Sequence, residues 1–161
     1  MMKQTMKQAT RLAVVMFCLL MITATMPTVT AQRDNSPYTP AQGTPERQQI
    51  VNALRARVER ELKQKVVFNF GDETSFRVQN GWAFLSATPQ RVDGKKIDYR
   101  KTIYREQVDS GAFDEGIFAL LRKRGNTWRI VAYNYGATDV PWLEWSTEHN
   151  APKSLFPFPK E

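Results

Sequence analysis

The chain has 161 residues, a formal net charge of +7, one cysteine (Cys18) and one histidine (His149). A single cysteine excludes an intramolecular disulfide, and one histidine with one cysteine excludes a zinc site, which needs three or four such ligands. A Cys–His catalytic pair is excluded as well, because Cys18 belongs to the leader described next.

The first 31 residues have the pattern of an export signal. Three basic residues precede an apolar run from Leu12 to Ile22, and Val29-Thr30-Ala31 follows. This order predicts cleavage between Ala31 and Gln32, with a periplasmic or secreted product that keeps no membrane anchor. A retained anchor would need about 20 continuous apolar residues, and a lipoprotein would need small residues before Cys18.

Residues 32–43 predict a disordered linker, since they combine prolines, a glycine and polar side chains with almost no apolar residue. A single domain, residues 44–161, follows. Without the three cations of the signal the net charge is +4, which bears on solubility more than on nucleic acid. We therefore expect no nucleic-acid partner.

Residues from Pro45 onward predict an amphipathic helix. Thr44 can cap it, and Pro45 stands at its first position. Its apolar residues recur every four positions: Ile50, Leu54, Val58 and Leu62. Its basic residues on other positions include Arg55, Arg57 and Arg60. Such a charged face is typical of a solvated helix, and docking to anionic envelope material is the alternative.

After Lys65 the apolar period changes to two, which predicts strands. The segments that fit are 66–70, 76–79, 82–87, 117–124 and 128–135. Asn80-Gly81 and Gly125-Asn126-Thr127 predict hairpin turns. Ile97–Tyr104 also alternates and is interpreted as a strand or an edge segment. The order predicts an α+β domain in which one helix packs on an antiparallel meander of four or five strands, followed by a short C-terminal helix.

The C-terminal part is rich in aromatic residues. Asp139 is predicted to cap the short helix containing Trp142 and Trp145, and an apolar tail, Leu155-Phe156-Pro157-Phe158, follows it. The candidate partner-binding residues are Tyr133, Tyr135, Trp142 and Trp145, because exposed aromatics often bind a protein, peptide or glycan. The alternative is structural: the tail folds back and covers the sheet face that the long helix leaves open.

The sequence contains no arrangement typical of catalysis or metal binding. The Gly-x-Ser-x-Gly motif is absent, and Asp109, Asp114 and Glu115 lack the spacing of a calcium loop. Asp139 and Glu144 lie near tryptophans, as carboxylates do in some sugar-cleaving enzymes, but Asp139 has the capping role available. We therefore predict no catalytic residue, no metal and no cofactor.

The element order resembles cystatin-like and NTF2-like domains, and the segment Trp128–Trp142 is similar to a stretch shared by uncharacterised exported bacterial proteins. This resemblance covers the architecture of residues 45–156. The Gln-x-Val-x-Gly loop of cystatin inhibitors is absent. We predict an exported, non-catalytic binding domain. The NTF2-like layout implies the alternative, a pocket between helix and sheet that binds or converts a small molecule. A cavity lined by Tyr99, Tyr104 or Arg100 would favour this alternative.

Overall fold

One long helix and a five-stranded antiparallel sheet form the framework of residues 35–158, the part of the chain that this computed structural model describes. In chain order the elements are α1 (Pro45–Leu62), β1 (Val66–Phe70), β2 (Phe76–Gln79), β3 (Trp82–Arg91), α2 (Arg105–Asp109), β4 (Ile117–Arg124), β5 (Thr127–Tyr135) and α3 (Trp145–Glu148). Short 3-10 turns lie at Tyr99–Lys101 and Lys153–Leu155. The predicted α+β layout is confirmed. The predicted signal, with its cleavage point between Ala31 and Gln32, lies outside the described residues.

Helix α1 begins and packs as its sequence predicts. The Thr44 hydroxyl accepts a hydrogen bond from the Arg47 amide, and Pro45 occupies the first position. All four residues of the apolar stripe are buried. Lys63, the residue that follows the helix, has a positive φ of 56°, and the chain leaves the helix axis there. Glu59 therefore pairs with Lys65, at 2.6 Å. It does not pair with Lys63, which follows Glu59 by four residues.

The sheet is built around the long strand β3. Strands β2, β3, β4 and β5 form an antiparallel meander, and β1 pairs with the second half of β3 on the same edge as β2. The Asn80-Gly81 turn joins β2 to β3 with positive φ at both residues, and Gly125-Asn126 joins β4 to β5. Both predicted hairpins are confirmed.

Two local predictions are wrong. Ile97–Tyr104 forms a 3-10 turn and the approach to α2, since the Asp98 carboxylate accepts from the Arg100 amide and closes the turn. Its alternation arises because the side chains of Ile97 and Tyr99 are buried by this turn and not by a strand. The last helix starts after Glu144, so the exposed Asp139 does not cap it.

Residues 35–40, within the segment predicted as a linker, lie against the outer edge of β2. The main chain of Tyr38 exchanges two hydrogen bonds with Val78, at 3.0 and 2.7 Å. The Thr39 hydroxyl donates to the Phe76 carbonyl at 2.7 Å, and the buried Gln79 amide donates to the Asn35 carbonyl. Main-chain pairing holds this polar segment, and composition alone does not reveal such pairing.

The two faces of the sheet are covered by different parts of the chain. Helix α1 covers one face, where its stripe packs on Ala83, Leu85, Ile117, Ala119 and Leu121. The C-terminal segment covers the other face and forms a second cluster with Phe84 and Leu120. We call residues 142–158 the lid. Alternating residues of the central strands therefore face two separate apolar layers.

Candidate ligand-binding surface

Two of the four candidate aromatic residues belong to the lid. Trp142 and Trp145 are 8% and 7% exposed and pack with Phe84, Leu155 and Phe156. The Trp142 ring stacks on Phe156 at a centroid distance of 6.1 Å and meets Phe84 edge-on at 5.8 Å. These tryptophans thus occupy the position that the structural alternative predicts for them.

The other two candidates lie on the opposite side of the sheet. Tyr135 is buried, and its hydroxyl oxygen lies 2.8 Å from that of Tyr99. Tyr133 is partly buried and donates to the Glu61 carboxylate on α1 at 2.9 Å. The fold therefore separates the four residues into two layers and does not bring them together on one surface. Their contact with a partner stays a prediction.

The tyrosines beneath α1 form a hydrogen-bonded network around Glu61. Its Oε2 atom accepts from Tyr104, at 2.6 Å, as well as from Tyr133, and its Oε1 atom accepts from Arg57. Burial, together with the charge of Glu61, raises the pKa of Tyr133 far above its usual range. Burial also raises the pKa of Tyr99 to about 12. These hydroxyls are neutral hydrogen-bond donors at physiological pH.

Aromatic rings fill the space in which an NTF2-like pocket is expected. Phe113 packs against Tyr99, Tyr104 and Tyr135, with ring centroids 5.0 to 5.3 Å apart. Gly136 makes room for this ring, since an added Cβ would lie 2.3 Å from Phe113. Tyr99 and Tyr104, the predicted pocket residues, are therefore packing residues, and the side chain of Arg100 is turned toward Asp98.

Two open clefts adjoin each other at the end of the sheet where β3 leaves it. One, of about 440 Å³, lies between the end of α1 and the turn after β3, and the other, of about 430 Å³, lies between that turn and α2. They share Arg91 and Asp98. We call them together the basic clefts, because their lining contains eight cations: Lys63, Lys65, Arg91, Lys95, Lys96, Arg100, Lys101 and Arg105.

Ion pairs neutralise only part of this charge. Arg91 pairs with Asp93 at 2.7 Å, and Arg100 pairs with Asp98 at 2.9 Å. Arg105 pairs with Asp109 at 3.5 Å, and Lys65 pairs at 2.6 Å with Glu59, which lies outside the lining. The hydrogen bond from Arg100 lowers the pKa of Asp98 to about 2. Four lysines of the clefts make no ion pair with any described residue: Lys63, Lys95, Lys96 and Lys101. The clefts therefore present uncompensated ammonium groups to solvent.

Sequence reasoning missed the basic clefts as a unit. Residues 91–101 contain five cations and two carboxylates, a visible excess. The remaining cations come from the end of α1 and from α2, and nothing in the linear pattern indicates that these segments meet. The predicted basic surface on α1, through Arg55, Arg57 and Arg60, does not contribute to the clefts.

Within residues 35–158 no helix has the length and apolar character that crossing a membrane requires. In the same range no group of three histidine, cysteine or carboxylate side chains is placed to hold a metal ion.

Comparison with known proteins found no matching family model, no similar curated protein and no similar solved structure. The proposals below therefore rest on this chain's own residues.

Proposed function

We propose that this chain is an exported, non-catalytic binding domain whose ligand is an anionic polysaccharide held in the basic clefts. One observation carries the proposal. The lining of the clefts has eight cations and three carboxylates, a net charge of +5, whereas residues 35–158 as a whole, with 18 cations and 14 carboxylates, have +4. The excess charge of the described chain is thus concentrated at one end of the sheet.

The shape of the clefts favours a flexible polymer over a membrane. They are concave and adjoining, and their walls carry polar as well as apolar groups. A planar bilayer meets protruding residues, whereas a chain of sugar rings with carboxylate or sulfate groups can lie along a cleft. Lysine ammonium groups suit such ligands, because they are mobile point charges without a fixed geometric demand.

The electrostatics of the clefts favour binding over acid–base catalysis. Asp98, whose pKa is about 2, is ionised at neutral pH and cannot serve there as a general acid. Asp93 is paired with Arg91. We infer that these two carboxylates orient their arginines and that the lysines contact the ligand.

Two other predicted functions have less support. A ligand at the aromatic segment would have to reach Trp142 and Trp145, which pack into the lid. A small-molecule pocket under α1 would need the space that Phe113, Tyr99 and Tyr135 fill. Both stay predictions, and the basic clefts are the surface that we would test first.

A matched pair of charge-reversal variants tests the proposal. Lys95→Glu with Lys96→Glu changes two exposed cleft residues, and Arg60→Glu with Arg129→Glu makes the same change of net charge elsewhere. With polygalacturonate as the probe, we expect the cleft variant to bind at least about tenfold more weakly, since each exposed charge contact contributes up to about 1 kcal/mol. The control should bind within about twofold of the parent protein.

Salt gives a second readout, because binding between exposed charges weakens once ionic strength shortens the screening length. Equal losses of affinity in the two variants would show that binding depends on net charge alone, and would overturn the assignment of the ligand to the clefts. Stronger binding to phosphatidylglycerol vesicles than to polygalacturonate would replace the polysaccharide with a membrane.

Export is part of the proposal and has its own measurement. Expressed in a bacterium with its full sequence, the protein should be recovered outside the cytoplasm with Gln32 as its first residue. Recovery of the uncleaved chain from the cytoplasm would contradict it.

A further inference from the structure

The outer edge of β1 presents main-chain groups that its neighbours do not use. Pro89 lies opposite Phe68 in the ladder and has no N–H to offer it. The amide of Val66 donates to Glu59 at 3.2 Å, and its carbonyl accepts from Arg55 at 3.2 Å, so both groups point away from β3. Along a strand, the N–H and C=O groups of successive residues point alternately to the two edges. Val66, Phe68 and Phe70 therefore direct their amides and carbonyls outward.

Other parts of this sheet edge are already covered. Side chains of α1 satisfy Val66, and on β2 the outward groups of Val78 pair with Tyr38. No described residue takes this role for Phe68 or Phe70. An edge strand with open main-chain groups is a template for a further strand. The open part of β1 is thus short and consists of the outward main-chain groups of Phe68 and Phe70.

A groove of about 380 Å³ runs beside this open edge. Its lining is both apolar and cationic: Gln42, Arg47, Val51, Arg55, Val67, Phe68, Asn69 and Phe70. It contains no carboxylate. Among residues 35–158, neither Arg47 nor Arg55 forms an ion pair. Arg47 donates to the Pro40 carbonyl and lies over the rings of Phe70 and Phe76. Arg55 donates to the Val66 carbonyl and to the Asn52 side chain. These partners are all neutral, so a ligand on the edge would meet the charge of both guanidinium groups beside apolar walls.

We propose that β1 binds an extended acidic peptide segment of a partner protein, which adds a strand at Phe68 and Phe70 and places carboxylates near Arg47 and Arg55. Main-chain bonds give such binding its affinity, and the side chains of the groove give it specificity. Charge complementarity selects this occupant over a second copy of the chain. Two β1 strands paired about a two-fold axis would bring the arginines of both copies together, and like charges oppose that pairing.

Amide hydrogen exchange tests the proposal at single residues. The probe is the capped peptide Val-Glu-Val-Asp-Val, with Val-Lys-Val-Lys-Val as the charge control and an N-methylated acidic peptide as the main-chain control. In the free protein the Phe68 and Phe70 amides should exchange faster than those of Val67 and Asn69, which face β3. At a peptide concentration ten times its Kd, the acidic peptide should slow Phe68 and Phe70 about tenfold.

The controls define failure. Neither the lysine peptide nor the methylated peptide should slow the two amides. Exchange that is already slow in the free protein, or equal effects of the acidic and lysine peptides, would overturn the proposal. A dimer whose formation slows the same amides would assign the edge to a second copy.

Arginine variants separate the groove from the rest of α1. Arg55→Gln removes a charge of the groove but keeps a donor for the Val66 carbonyl, and Arg60→Gln is the matched control on the same helix outside the groove. We expect Arg55→Gln to weaken the acidic peptide about fivefold and Arg60→Gln to leave it unchanged. Equal weakening would remove Arg55 from the site. The Lys95→Glu, Lys96→Glu protein should still bind the peptide, so this proposal and the polysaccharide proposal can fail independently.

Discussion

Glu61 connects three parts of the fold through one carboxylate. It lies near the end of α1 and accepts hydrogen bonds from Arg57 on the same helix, from Tyr104 before α2 and from Tyr133 on β5. Its side chain is only 12% exposed. A carboxylate in this position accepts hydrogen bonds from two partly buried hydroxyls, which have lost part of their solvation.

Replacing Glu61 with glutamine tests this role. The shape is kept, but the charge and one acceptor oxygen are lost, so we expect the free energy of unfolding to fall by about 1–3 kcal/mol. Urea denaturation of the variant gives the measurement. Glu106→Gln is the control, since Glu106 is exposed on α2 and its side chain makes no hydrogen bond. A loss no larger than that of the control would show that water can replace the carboxylate.

The tyrosines make a second prediction, for alkaline pH. Burial raises the pKa of Tyr99 and, with the hydrogen bond to Glu46, that of Tyr38, both to about 12, and the pKa values of Tyr104, Tyr133 and Tyr135 are raised further. An unfolded tyrosine titrates near 10. The unfolded state therefore loses its protons first, and stability should be complete below about pH 10 and fall as the pH rises from about 10 through 12.

Tyrosinate absorbance, recorded beside circular dichroism during a pH titration, provides the measurement. Ionisation should accompany unfolding and not precede it. Tyr135→Phe should make the decline in stability with pH less steep, because one group with a raised pKa is removed. Ionisation of Tyr99 and Tyr135 near pH 10 with the fold intact would contradict the burial that the structure assigns to these two residues.

At the scale of elements, the lid is the layer that covers the sheet face opposite α1. Trp142 packs with Phe84 from the sheet and with Phe156 and Phe158 from the chain end. Without it, the sheet face opposite α1 would meet water. A buried aromatic of this size contributes several kcal/mol to stability.

Neighbouring residues in the same turn provide a matched test of the lid. Trp142→Ala should lower the free energy of unfolding by about 3–5 kcal/mol, as large-to-small changes in a core do. Leu143→Ala, at a residue that is 51% exposed, should lower it by less than about 1 kcal/mol. Denaturant unfolding measures both. Similar small losses would mean that the lid detaches at little cost and that its tryptophans are available to a partner.

The success of the sequence-based predictions depends on how local the cause is. The period of α1 and the Asn80-Gly81 turn are local signals, and both are confirmed. The prediction of a strand at Ile97–Tyr104 is wrong because a turn that buries alternate residues has the same apolar period as a strand. The sequence leaves two roles for Trp142, because an apolar aromatic residue can pack in the core or bind a partner. The sequence alone does not distinguish these roles.

At the scale of the whole molecule, charge and apolar surface are divided between different regions. Apolar side chains form the two layers on the faces of the sheet, and the uncompensated cations gather at one end. Lys63 and Lys96 line the two adjoining clefts at that end although 33 positions separate them in the sequence. Only the return of the chain through β3 brings them together. The candidate surface was therefore beyond sequence reasoning, whereas the periodic stripe of α1 predicted the layer beneath that helix.

The contacts of Gln79 bear on whether the two ends of the described chain could be joined. Its side chain donates to the Asn35 carbonyl at 2.5 Å and accepts from the Ser154 hydroxyl at 2.8 Å, so residues near both ends of the described chain contact one side-chain amide. Such proximity suits circular permutation. A short glycine–serine connection from residue 158 to residue 35, with new termini opened at the exposed Asp93-Gly94 turn, should leave the order of strands and the midpoint of thermal unfolding nearly unchanged. A collapse of the permuted protein would mean that the domain depends on the order in which its segments are joined, and not on their contacts alone.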